Sequence, residues 1–123
     1  MAAYVAPPGW PRSVRPPGAP GWEHTAAVWL LDICPPEYRG YPVLRRHQVV
    51  LARFAALHVE ASQAAVRRGL SEARSVLRDV AEPETVDAAV QAWQAEEARL
   101  IRERRAVDLV EDALRGRRFV ARL

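Results

Sequence analysis

The chain has 123 residues, half of them apolar, with 18 basic and 15 acidic side chains for a net charge of +3. All 18 basic residues are Arg, Lys and Asn are both absent, and Ala occurs 22 times, a bias that reads as GC-rich coding before it reads as selection for a partner. This length holds one modest domain and excludes a large multidomain enzyme, while a single Cys and three His exclude a disulfide scaffold and a structural zinc fold.

Residues 1–22 hold six of the ten prolines and three of the six glycines, with Pro-Gly-Trp occurring at 8–10 and again at 20–22. Repeated proline fixes φ and removes backbone donors, so this arm is expected to be turned or polyproline-like. Large indoles have little use in a solvated linker, so Trp10, Trp22 or both are expected to dock on the remaining body, residues 23–123. Residues 25–33 are apolar nearly all round and predict a short buried helix capped by Thr25, with a buried strand as the other reading. Cys34 followed by Pro35 and Pro36 stops it.

Residues 42–69 predict the clearest helix, with Pro42 in its first turn and Gly69 as its C-terminal stop. Val43, His47, Val50, Phe54, Leu57, Ala61 and Ala64 step by four and three along one apolar stripe that Leu44, Leu51 and Val66 broaden, and Arg46, Arg53, Glu60 and Arg67 repeat every seven on the other side. A shorter helix is expected from Ser71 to about Ala81. The last helix is expected from Pro83 to Arg115, with Gly116 as terminator, and Val86, Trp93, Leu100, Val107 and Leu114 recur in it every seven residues. Glu97, Arg104 and Glu111 interrupt a second apolar row, so only half of a coiled-coil pattern is present. Thirty-three helical residues span roughly 50 Å, so this helix must overhang, kink or pack along a partner chain.

The charge is segmental: residues 42–69 carry +4 and residues 83–115 carry −3, while the terminal segments 1–22 and 116–123 carry +2 and +3. The attraction between the two longest helices therefore uses much of the arginine, and any outside electrostatic role belongs first to the arms. The first residues carry no basic n-region, the longest apolar run, 26–31, is far short of the ~20 residues of a membrane helix, and one Cys suits a reducing compartment. A soluble cytoplasmic protein without a membrane segment is expected.

No constellation points to an enzyme or to a cofactor or metal. His47 and His58 lie eleven residues apart, about 16 Å along a helix, too far to share one metal, and read as packing histidines. Cys34 has no glycine-rich turn beside it and reads as a small apolar terminator. The adjacent carboxylates Glu96-Glu97 and Glu111-Asp112 point about 100° apart on a helix and do not converge as acid and base. A nucleic-acid contact, or another anion site, would draw on the doublets Arg45-Arg46, Arg67-Arg68 and Arg117-Arg118, with Tyr38, Arg39 and Tyr41 as the best place for stacking beside phosphate contact.

The run 20–23 (PGWE), the segment 29–39 (WLLDICPPEYR) and residues 44–47 (LRRH) resemble a group of short proteins of high-GC actinobacteria to which no activity is assigned. The likeness covers most of the chain and implies a source without implying a mechanism. The sequence thus predicts an all-α fold of two long antiparallel helices, one or two short ones and a Pro/Gly-rich N-terminal arm. The expected role is a non-enzymatic interaction protein, a homodimer packed through Val86, Trp93, Leu100, Val107 and Leu114, possessing a further protein partner. Accessory nucleic-acid binding is the alternative.

Overall fold

A computed structural model describes residues 3–117, and Arg118 with the rest of the basic tail lies outside them. The described chain is helical: α1 (Trp22–Ile33), a 3₁₀ turn (Pro36–Gly40), α2 (Pro42–Arg46), α3 (Gln48–Leu77) and α4 (Pro83–Leu114). The long helices α3 and α4 pack against each other, and α1 packs on both. Contacts between them run in reversed chain order. Arg74 meets Asp87 at 2.8 Å, Gln63 accepts from Arg104 at 3.1 Å and Arg53 meets Glu111 at 3.2 Å.

Residues 3–21 form successive turns, closed by the Trp10 N–H to the Pro7 carbonyl, Val14 to Pro11, Ala19 to Pro16 and Trp22 to Ala19. The Trp10 indole donates to the Val14 carbonyl at 3.0 Å and lies 6.0 Å from the Trp22 ring, so both tryptophans dock on the helices as expected. Trp22 is the first residue of α1 rather than the end of the arm. Thr25 is not the cap, because Gly21 occupies that position in the left-handed region (φ +75°). The Thr25 hydroxyl instead donates to the Trp22 carbonyl at 2.7 Å and accepts from the Arg15 N–H at 3.0 Å, which ties the arm to α1. Trp22, Ala26, Leu30 and Cys34, four residues apart, form the buried face of α1.

The expected helix 42–69 differs at both ends. His47 is extended (φ −126°, ψ 96°) and separates a single turn, α2, from α3; Leu44 on α2 is thereby fully buried. Gly69 does not stop α3. A Cβ there would stand 2.5 Å from the Trp93 indole, so the glycine admits a close approach of the facing helix. Ser71 likewise starts nothing; its hydroxyl donates back to the Arg68 carbonyl at 3.0 Å inside a continuous helix. The expected helices 42–69 and 71–81 thus become one of 30 residues, which matches the 32 of α4. Matched lengths remove the overhang expected of the last helix. Its own ends fall as the sequence predicts, with Pro83 in the first turn and a closing turn around Gly116 (φ +81°). There the Arg117 N–H bonds the Asp112 carbonyl and the Gly116 N–H bonds the Ala113 carbonyl.

Candidate interaction surface

Helix α3 is apolar on two faces, and of the residues expected in the core Leu51 and Val66 are buried while much of the central stripe is left outside. Leu51, Ala52, Ala55, Ala56, Val59 and Val66 are buried. On the expected stripe, Val50 is half-buried, Ala61 and Ala64 are exposed, and Phe54 and Leu57 expose 40% and 54% of their surface. The cause is steric. Three alanines at 52, 55 and 56 let neighbouring helices approach the backbone closely, and interaxial distance follows the side chains at the contact. The bulkier residues 54 and 57 are left facing solvent.

An aromatic cluster extends this open face at the start of α3. The Tyr38 ring stands edge-on to Phe54 at 5.7 Å, with His58 at 6.3 Å and Tyr41 at 6.2 Å. Tyr41 and Val43 are themselves about half exposed, and Tyr38 links the Tyr41 and Phe54 rings. His47 lies exposed at the break between α2 and α3, and His58 sits half-buried against Tyr38. The two do not form one site.

The heptad stripe of α4 faces inward. Val86, Leu100 and Val107 are buried, and Trp93 and Leu114 are partly buried against the same core, so the expected self-association seam is occupied by α3 of its own chain. What α4 offers outward is a shallow groove of about 770 Å³ lined by Ala89, Ala92, Trp93, Ala95, Glu96, Arg99 and Arg102. Arg99 is held there between Glu96 (2.9 Å) and Glu103 (3.1 Å). Its hydrogen bond keeps the Glu96 carboxyl below the usual carboxylate range, and that same bond raises the guanidinium further above its ordinary value.

Of the arginines expected at an anion site, only some converge. Arg39, Arg45 and Arg46 line one notch of about 400 Å³ together with Gly40 and Pro42. Arg39 is paired to Asp32 at 2.8 Å, whereas no described carboxylate lies within ion-pair distance of Arg45 or Arg46. Arg68 pairs with Glu72 at 3.1 Å, Arg67 lies 4.0 Å from Glu97, and Arg117 pairs with Asp112 at 2.6 Å, so these each face a carboxylate of the chain and do not line the notch. The Tyr38 and Tyr41 rings lie 6.2 Å apart, tilted by 49° to each other. Cys34 is 6% exposed; burial, with the Glu103 charge as a lesser cause, pushes its thiol up to about 11. A thiol held protonated at neutral pH is a poor nucleophile.

The four-and-three spacing does not tell which of the two apolar sides of α3 is buried. The seven-residue repeat Arg53, Glu60 and Arg67 flanks the contact with α4, where these residues meet Glu111, Arg104 and Glu97. No family model, curated protein or solved structure matches the chain.

Proposed function

We propose that this chain is a non-enzymatic helical protein–protein interaction or regulatory protein that self-associates. The single observation that carries this reading is the exposure of Phe54 and Leu57 one turn apart on α3, with Tyr41 joined to Phe54 through the Tyr38 ring. Contiguous exposed apolar surface on a small soluble domain marks a contact site. The sequence pointed to the heptad stripe of the C-terminal helix for this contact; with that stripe turned to the core, the exposed residues of α3 carry the reading instead. The reversed order of the ion pairs supports an antiparallel α3–α4 hairpin behind an N-terminal arm packed on it.

In this reading the protein is soluble and cytoplasmic, in an actinobacterial cell. Helix α3 is long and apolar enough to cross a membrane by length and composition. Its alanine-rich side packs in the core, which favours a core helix over a membrane span. Affinity purification of the endogenous protein tests the reading. A specific protein, or the chain itself in a differently tagged copy, accompanies the wild type and is lost with Phe54→Glu; recovery of neither contradicts it.

A second reading, an accessory nucleic-acid-binding protein, is favoured by one observation, the convergence of Arg39, Arg45 and Arg46 beside Tyr41. It predicts that a labelled single-stranded oligonucleotide binds with a salt slope of about −0.7 per phosphate contacted. Arg45→Ala with Arg46→Ala then flattens that slope. Absence of binding at low salt sinks it.

A further inference from the structure

Resting on the self-association reading, we infer that the open face of α3 pairs with the same face of a second copy, antiparallel and in one register. Val50, Phe54, Leu57, Ala61 and Ala64 alternate spacings of four and three, the 3.5-residue period of a seam that meets another helix. Arg46, Arg53, Glu60 and Arg67 stand immediately before successive positions of that seam, where flanking charges select partner and orientation. Arg53 and Glu60 already touch Glu111 and Arg104 of their own chain, at 3.2 Å and 3.9 Å. Their side chains are nevertheless 49% and 57% exposed, which leaves both able to meet a second partner.

Charge selects among the arrangements. Antiparallel helices can set Phe54 against Leu57 of the second copy and Val50 against its Ala61, which brings Arg53 to the copy's Glu60 and, by symmetry, Glu60 to its Arg53. A two-fold axis near Ala55 and Ala56 generates both pairs. Sliding one copy by a heptad sets Leu57 against Ala61 and Phe54 against Ala64. It then confronts Arg53 with Arg67 and Glu60 with itself, so like charges disfavour it. A parallel pair would place Arg53 beside His58 and Glu60 beside Ala65, with no opposite charge gained. The contact is one helix wide and about 30 Å long, at the small end of stable interfaces, so the dimer dissociates on dilution.

Disulfide trapping tests the register. In a Cys34→Ala background, chains carrying Ala61→Cys are mixed with tagged chains carrying either Val50→Cys or Leu57→Cys and gently oxidised. The inference expects a mixed disulfide dimer with Val50→Cys and at most a tenth as much with Leu57→Cys. The reverse preference, or none, overturns it. Phe54→Glu, at a position already open to solvent, should leave helix content unchanged and weaken pairing at least about 100-fold. A dimer that ignores Phe54→Glu overturns the α3 pairing while keeping the self-association reading, whereas a monomer at every concentration overturns both. Co-flotation of the wild type with anionic phosphatidylserine–phosphatidylcholine vesicles, abolished by Phe54→Glu, also overturns it, since the face then serves lipid.

Discussion

The two ends of the packed α3–α4 pair are built differently. At the end holding the start of α3 and the end of α4, α1, α2 and the arm cover the pair, and Leu30, Leu44, Leu51, Val59, Val107 and Val110 are essentially inaccessible. At the other end two helices face each other alone. There Ala73 and Val86 are buried, but Val76 and Val80 expose 62% and 76% of their surface. A two-helix layer buries one stripe per helix, and only added layers fill a core. Stability should therefore be concentrated at the covered end and local opening at the tip.

The largest effect is expected at the covered end. Leu51→Ala removes a wholly inaccessible side chain from the main cluster and should cost about 2–5 kcal/mol in denaturant unfolding. Val76→Ala, at the open tip, should change stability by less than about 0.5 kcal/mol. Equal losses from the two would erase the distinction between the ends.

The tip has one tight contact, and breaking it sharpens the comparison. Alanine normally favours a helix over glycine by about 1 kcal/mol. At Gly69 the added methyl would meet the Trp93 indole at 2.5 Å, so Gly69→Ala should destabilise by about 1–3 kcal/mol. Combined with Trp93→Ala the same change should become neutral or stabilising. A stabilising Gly69→Ala in the wild-type background would show that the two helices are not held together there.

A smaller effect is expected from Cys34 on the covered end. Its thiol titrates near 11 when folded against 9.0 for an exposed thiol. The raised value means that its contribution is fully present below pH 9 and is lost as pH rises toward 11. The loss is roughly 1–3 kcal/mol in unfolding free energy. Cys34→Ala should flatten that part of the pH profile relative to wild type. Identical profiles would mean that the thiol ionises freely.

How far the sequence revealed this structure depended on whether a residue's local chemistry determined its role. Pro83 and Gly116 bound α4 as read, because a first-turn proline and a left-handed closing glycine act through their own backbone. Gly69 did not, because a glycine that ends a helix and one that admits a neighbour look alike until Trp93 is placed beside it. His47 carries no breaking tendency of its own, and its extended conformation accompanies the burial of Leu44. Which side of α3 is buried was not legible either, because both sides are apolar. The core holds Leu51, Val59, Val66 and the alanines at 52, 55 and 56, and leaves Phe54 and Leu57 partly open. In the anion candidate, Arg39, Arg45 and Arg46 were legible as neighbours across a short loop. The pairing of Arg67, Arg68 and Arg117 was not, as it needed their carboxylate partners in space.

The covered end leaves Phe54 and Leu57 outside its core, and in the proposed dimer both meet another chain. Sedimentation equilibrium from about 1 to 300 µM tests it most directly. The wild type should rise with concentration from the 13.8 kDa of one chain toward twice that mass, while Phe54→Glu stays at one chain with unchanged helix content. Superimposable mass curves for the two proteins would contradict it.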